Sequence, residues 1–110
     1  MKLGKWLMDK YKIAYTNESI LEMKEISNWY NGKRNGLGLR FKREMKVEID
    51  RLKEKPYLFE IRYDMIRIVF SKNFPYAAHY EINESKKTVI IHAMLAFKQD
   101  IEGYWLKRNG

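Results

Sequence analysis

A chain of 110 residues falls within the size of one domain and is long enough for a single hydrophobic core without staples. It contains no cysteine, which excludes a disulfide framework and a thiolate metal centre; neither a metal nor a cofactor is expected. The formal charge of +8 suits an anionic partner, and it is uneven: residues 33 to 55 hold nine basic and four acidic side chains.

The first residues, MKLGKWLMDKYK, carry basic flanks but no sustained apolar stretch and no small-residue cleavage pattern. No run of about 18 apolar residues follows, so a single domain over 1–110 in the cytoplasm is expected. Tyr11–Tyr15 (YKIAY) alternates as a short strand does. Thr16 stands where an N-cap belongs, its hydroxyl placed to accept from the backbone N–H of Ser19. Ile20, Met23, Ile26 and Tyr30 follow at helical spacing with Trp29 beside them, which predicts a helix over Asn17–Asn31. Gly32 is expected to end it in the left-handed conformation.

Leu37, Phe41, Met45, Ile49 and Leu52 form one apolar stripe down a second helix, stopped ahead of Pro56. The short glycine-bearing link between the two helices predicts an antiparallel hairpin, with the stripe packed on Ile20, Met23 and Ile26. After Pro56 the period changes from 3.6 to 2. Phe59–Tyr63, Ile66–Phe70 and Tyr76–Ile82 alternate as strands do, and Thr88–Leu95 (TVIIHAML) reads as a strand covered on both faces. Short loops make neighbours in this run antiparallel. Asp100–Arg108, with Tyr104, Trp105 and Leu106, reads as a last helical turn. The fold class is α+β: an N-terminal strand and a helical hairpin packed on an antiparallel sheet, in two layers.

Several stretches in this order, WYN-GKRNGLGLRF, LKEKPYLFEIRY, IRIVFSKNFPYAAHYEI and KTVIIHAML, resemble the RelE/ParE toxin superfamily in its ParE-like branch. The resemblance covers about Tyr11 to Trp105; Gly36-Leu37-Gly38 before Phe41, and Phe74-Pro75-Tyr76 before His79, are its most specific pieces. It implies the toxin of a type II toxin–antitoxin pair, neutralised by a cognate antitoxin that lays an extended or helical segment over the toxin body. ParE-like members are associated with inhibition of DNA gyrase, RelE-like members with mRNA cleavage on the ribosome. On this reading Arg40, Lys42, Arg43, Lys46 and Lys53, turned outward along the second helix, are the candidate residues for binding an acidic, amphipathic antitoxin segment.

RNA cleavage without a metal needs a base, an acid and cations for the developing phosphate charge. Arg62 and Arg67 stand on the polar side of alternating strands and suit phosphate, or else pair with Glu60, Asp64 or Glu81 across the sheet. His92 reads as a core histidine and His79 as one on the sheet's second surface. Tyr63, Tyr80 and Tyr104 read as packing rather than as acids. Many RelE/ParE relatives end their last strand with His-Thr-(Ser or Arg)-Arg-(Asp or Asn)-Pro, where this chain has Ala96-Phe97-Lys98-Gln99-Asp100-Ile101. That departure counts against cleavage, and the sequence favours a ParE-like binder of a macromolecular target. An mRNA endonuclease working through Arg62, Arg67, Lys98 and Tyr104 is the alternative, and a non-toxic relic that still binds antitoxin is a third.

Overall fold

The computed structural model describes residues 10–97. The chain runs β1 (Lys12–Tyr15), α1 (Asn17–Lys33), α2 (Leu37–Asp50), a 3₁₀ turn (Arg51–Lys53), β2 (Ile61–Tyr63), β3 (Ile66–Phe70), β4 (Tyr76–Asn83) and β5 (Thr88–Ala96). The five strands form one sheet in the order β1-β5-β4-β3-β2. The four C-terminal strands are antiparallel neighbours, and β1 joins the far edge parallel to β5. The sheet is therefore mixed: α1 and α2 form the crossover that returns the chain to the sheet.

Thr16 caps α1 as its sequence position requires, accepting the Ser19 N–H at 3.1 Å. The same hydroxyl donates to the His92 carbonyl at 3.1 Å, which fixes the start of α1 to β5. The expected end at Gly32 is not found. The helix passes through Gly32 to Lys33, and Arg34 leaves it in extended conformation with its N–H on the Tyr30 carbonyl. The left-handed residue is Gly36 (φ 86°), immediately before α2, where the chain reverses.

Gly36 brings no side chain to cap α2, and Asn31 does so from α1 by accepting the Gly38 N–H at 2.8 Å. Gly38 is where the helices come closest: a Cβ there would lie 2.1 Å from the Ser27 carbonyl oxygen. Beyond this crossing Phe41, Met45, Ile49 and Leu52 are fully buried against Val69, Ala78, Tyr80, Val89 and Ile91. The rings of Tyr30 and Phe41 both meet Phe74 edge-on, at 4.9 and 5.3 Å between centroids. Ile20 departs from expectation: it is 51% exposed, because it turns to the open side of the hairpin rather than to the sheet.

The helices cover one sheet face only, which corrects the reading of β5 as covered on both. Val89, Ile91 and Met94 are buried, whereas Ile90 and His92 are half-buried and Leu95 is exposed. A bulge explains the near-continuous apolar run. Tyr80 pairs with Ile91 and His79 with Ala93, so His92 is an extra residue and the alternation changes phase there. Met94 is thereby returned to the helical face. The predicted turn over Asp100–Arg108 lies outside the described residues.

Candidate functional site

Ile20, Lys24 and Asn28 step by four along α1, beside the buried stripe rather than within it. With Met23 they form one wall of a groove whose other wall is Lys42 and Lys46 of α2, and Tyr15 of β1 lies at its end. The groove has a volume of about 530 Å³. Its apolar surface comes from Ile20, Met23 and the Tyr15 ring, and three lysines rim it. Lys46 is bonded to Asp50 at 2.8 Å, which holds its ammonium above the usual lysine range. Burial pushes the Tyr15 phenol up, Asp50 adds to the shift and Lys46 opposes it, so the phenol stays neutral.

The five residues expected to bind a partner are thus divided. Lys42 and Lys46 line the groove. Arg40 is held by Glu44 at 2.8 Å, with its guanidinium carbon 5.6 Å from the Phe74 ring centre. Lys53 lies past α2 in the 3₁₀ turn, 3.6 Å from Asp50. Arg43 is exposed outside the groove lining, and among the described residues it forms no ion pair. Sequence reasoning missed Tyr15, Met23, Lys24 and Asn28 as a surface; the four-residue step from Ile20 was its only trace.

The candidate catalytic residues do not assemble. Arg67 pairs with Tyr80 on the helical face, where it donates to the Phe59 carbonyl and sits 4.9 Å from the Tyr57 ring centre. Arg62 reaches the opposite face, its guanidinium carbon 5.8 Å from the Phe70 ring centre. The expected alternative, pairing with Glu60, Asp64 or Glu81, is also not found, since Glu81 is taken by His92 at 2.8 Å. Lys98 and Tyr104 lie outside the described residues.

His92 is not a core histidine: the bulge turns it to the uncovered face, and its side chain is 39% exposed. His79 lies on that face as expected. Its Nδ1 is 2.8 Å from the Tyr63 hydroxyl, a hydrogen bond whose direction is set by the imidazole tautomer. Burial is the main cause that holds its pKa below the ordinary histidine value; Glu22 opposes this and Arg62 adds to it. Tyr80 is fully buried and donates to the Pro56 carbonyl at 2.8 Å, and burial pushes its pKa up to about 12. It packs, as expected.

No family model matches the sequence, and no curated protein matches it. Among solved structures, a chain of the chromosomal ParDE TA system from P. aeruginosa superposes with a TM-score of 0.70. The match covers 80% of this chain and 97% of that one, at 12% identity. The chain has a ParE-like fold. At this identity the likeness is one of architecture, so the groove's side chains are this ParE-like chain's own and are read from its own geometry. No helix among the described residues is long and apolar enough to cross a membrane.

Proposed function

We propose that the chain is the toxin of a type II toxin–antitoxin pair, a ParE-like protein that acts by binding a macromolecular target and is neutralised by a cognate antitoxin. The observation that carries this reading is the architectural match to a chain of a ParDE system, combined with a groove that suits one kind of partner. An amphipathic segment lays apolar side chains on Ile20, Met23 and Tyr15 while its carboxylates meet Lys24, Lys42 and Lys46. Removing apolar surface from water supplies about 25 cal/mol per Å², so the apolar contact sets how long the complex lasts. The lysines chiefly speed encounter, an effect that salt screens.

The target implied by the ParE-like branch is DNA gyrase. Support for binding rather than cleavage comes from the separation of Arg62 and Arg67 on opposite faces of the sheet. Induced expression, alone and with the product of the adjacent reading frame, tests the reading when plasmid supercoiling and mRNA integrity are measured together. Loss of gyrase supercoiling with intact mRNA is expected, and co-expression of the antitoxin should restore supercoiling. Codon-periodic mRNA cuts that vanish in Arg67→Ala would instead make the chain an endoribonuclease.

A further inference from the structure

The two ends of β5 and β2 treat their free backbone differently. Past the end of β1, the exposed edge of β5 is sealed by α1 and its cap: Glu22 accepts the Met94 N–H at 2.7 Å, and Thr16 donates to the His92 carbonyl at 3.1 Å. At the other end of the sheet β2 has β3 as its one neighbour, and no such side chain reaches the backbone of residues 60–65 among the described residues. Here the apolar surface is concentrated. Leu58 is 56%, Ile61 42%, Tyr63 46% and Met65 63% exposed, all within one short stretch. Natural sheets guard such edges with short strands, bulges, charge, lysine or proline. Here β2 is short and bulged, but residues 57 to 65 contain neither lysine nor proline, and their charges are of both signs.

The charges of this stretch are mixed rather than uniform. Glu60, Arg62 and Asp64 form no ion pair within the described residues. A bulge between Ile61 and Tyr63 makes Arg62 the extra residue of β2 and carries its guanidinium toward Phe70, on the face away from the helices. Ile61, by contrast, pairs with Arg67 on the helical face. Alternation then places Glu60 on the same face as Arg62.

We propose that β2 is a self-association edge, where a second copy of this chain adds antiparallel across a twofold axis at Ile61. Ile61 of each copy then meets Ile61 of the other, and Glu60 of each faces Arg62 of the other, twice by symmetry. The register is specified by charge: moving the axis one residue, to Arg62, sets arginine against arginine. The added strand joins the two sheets into one continuous sheet and covers Ile61 and Tyr63. The groove between α1 and α2 faces elsewhere, so antitoxin binding does not depend on this contact.

Sedimentation velocity of the full chain over a micromolar to millimolar series tests the proposal. A monomer–dimer equilibrium is expected. Arg62→Glu should weaken it by about tenfold or more, since each of two cross-strand pairs turns from attractive to repulsive. Glu60→Arg should do the same from the other side of the pair and serves as the second variant, with circular dichroism confirming the fold of each. The double change Glu60→Arg with Arg62→Glu keeps opposite charges facing and should restore the wild-type constant to within about threefold. A chain that stays monomeric throughout, or a dimer that neither single variant weakens, overturns the proposal. So does hydrogen-exchange protection of residues 60–63 that arises only on adding a different protein, which would assign the edge to that partner.

Discussion

Glu84, in the turn between β4 and β5, gathers three donors from three parts of the chain: Lys87 at 2.6 Å, the Tyr57 hydroxyl, and the Tyr11 hydroxyl at 2.7 Å. These bonds, led by that from Lys87, lower its pKa from 4.5 to about 2. Because the folded value is depressed, the stabilisation is fully present above pH 4.5 and is lost as pH falls through the folded value. A carboxyl titration followed by NMR should therefore show Glu84 with a midpoint near 2, and Glu84→Gln should flatten the pH dependence of stability between 4.5 and 2. A midpoint at the ordinary carboxylate value would contradict the clasp. Contacts of this kind are invisible in a single sequence, since Tyr11 and Glu84 are 73 positions apart and nothing local pairs them. The Thr16 cap, whose partner is three residues away, was legible for the opposite reason.

Among elements, the helical hairpin rests on glycines that have different tasks. Gly36 needs its positive φ, Gly38 has no room for a Cβ, and Gly32 sits in α1 with nothing within 4 Å of one. Gly38→Ala should destabilise the protein by about 1–3 kcal/mol through overpacking against Ser27. Gly36→Ala should cost about 1–2 kcal/mol for a left-handed alanine. Gly32→Ala should stabilise by roughly 0.5–1 kcal/mol, as a replacement inside a helix does. Urea unfolding of the three variants checks the order, and a destabilising Gly32→Ala would contradict the placement of that residue within α1. Phe41→Ala should cost about 3–5 kcal/mol in the same assay, since its ring is fully enclosed. The sequence announced the stripe from Leu37 to Leu52 because amphipathic period survives any tertiary context. It pointed to Gly32 as the helix stop, whereas α1 runs on to Lys33 and the left-handed residue is Gly36, because the place of the reversal depends on how α2 packs back on α1. The bulge at His92 was hidden for a related reason: one inserted residue changes which face a strand buries without changing its composition.

At the scale of the whole molecule, the charge of +8 acquires a place only once the chain is folded. Arg40, Lys46 and Lys53 are paired with neighbouring carboxylates, Lys46 while still lining the groove, and Lys42 joins Lys24 from the other helix there. The helical hairpin on a sheet was readable from the order of periodic segments, and its ParE-like character from the resemblance of particular stretches. The groove was not, since its walls come from two helices and a strand. The parallel seat of β1 beside β5 likewise follows from the crossover and leaves no local mark. The central claim is that this lysine-rimmed groove receives an acidic antitoxin segment. Stopped-flow association of the antitoxin with the wild-type chain and with the Lys24→Glu, Lys42→Glu and Lys46→Glu triple variant, at low and high salt, tests it most directly. The account predicts association slowed by about tenfold or more in the variant at low salt, with the difference shrinking as salt rises and a smaller effect on dissociation. An unchanged association rate at low salt would contradict it and place the antitoxin elsewhere on the molecule.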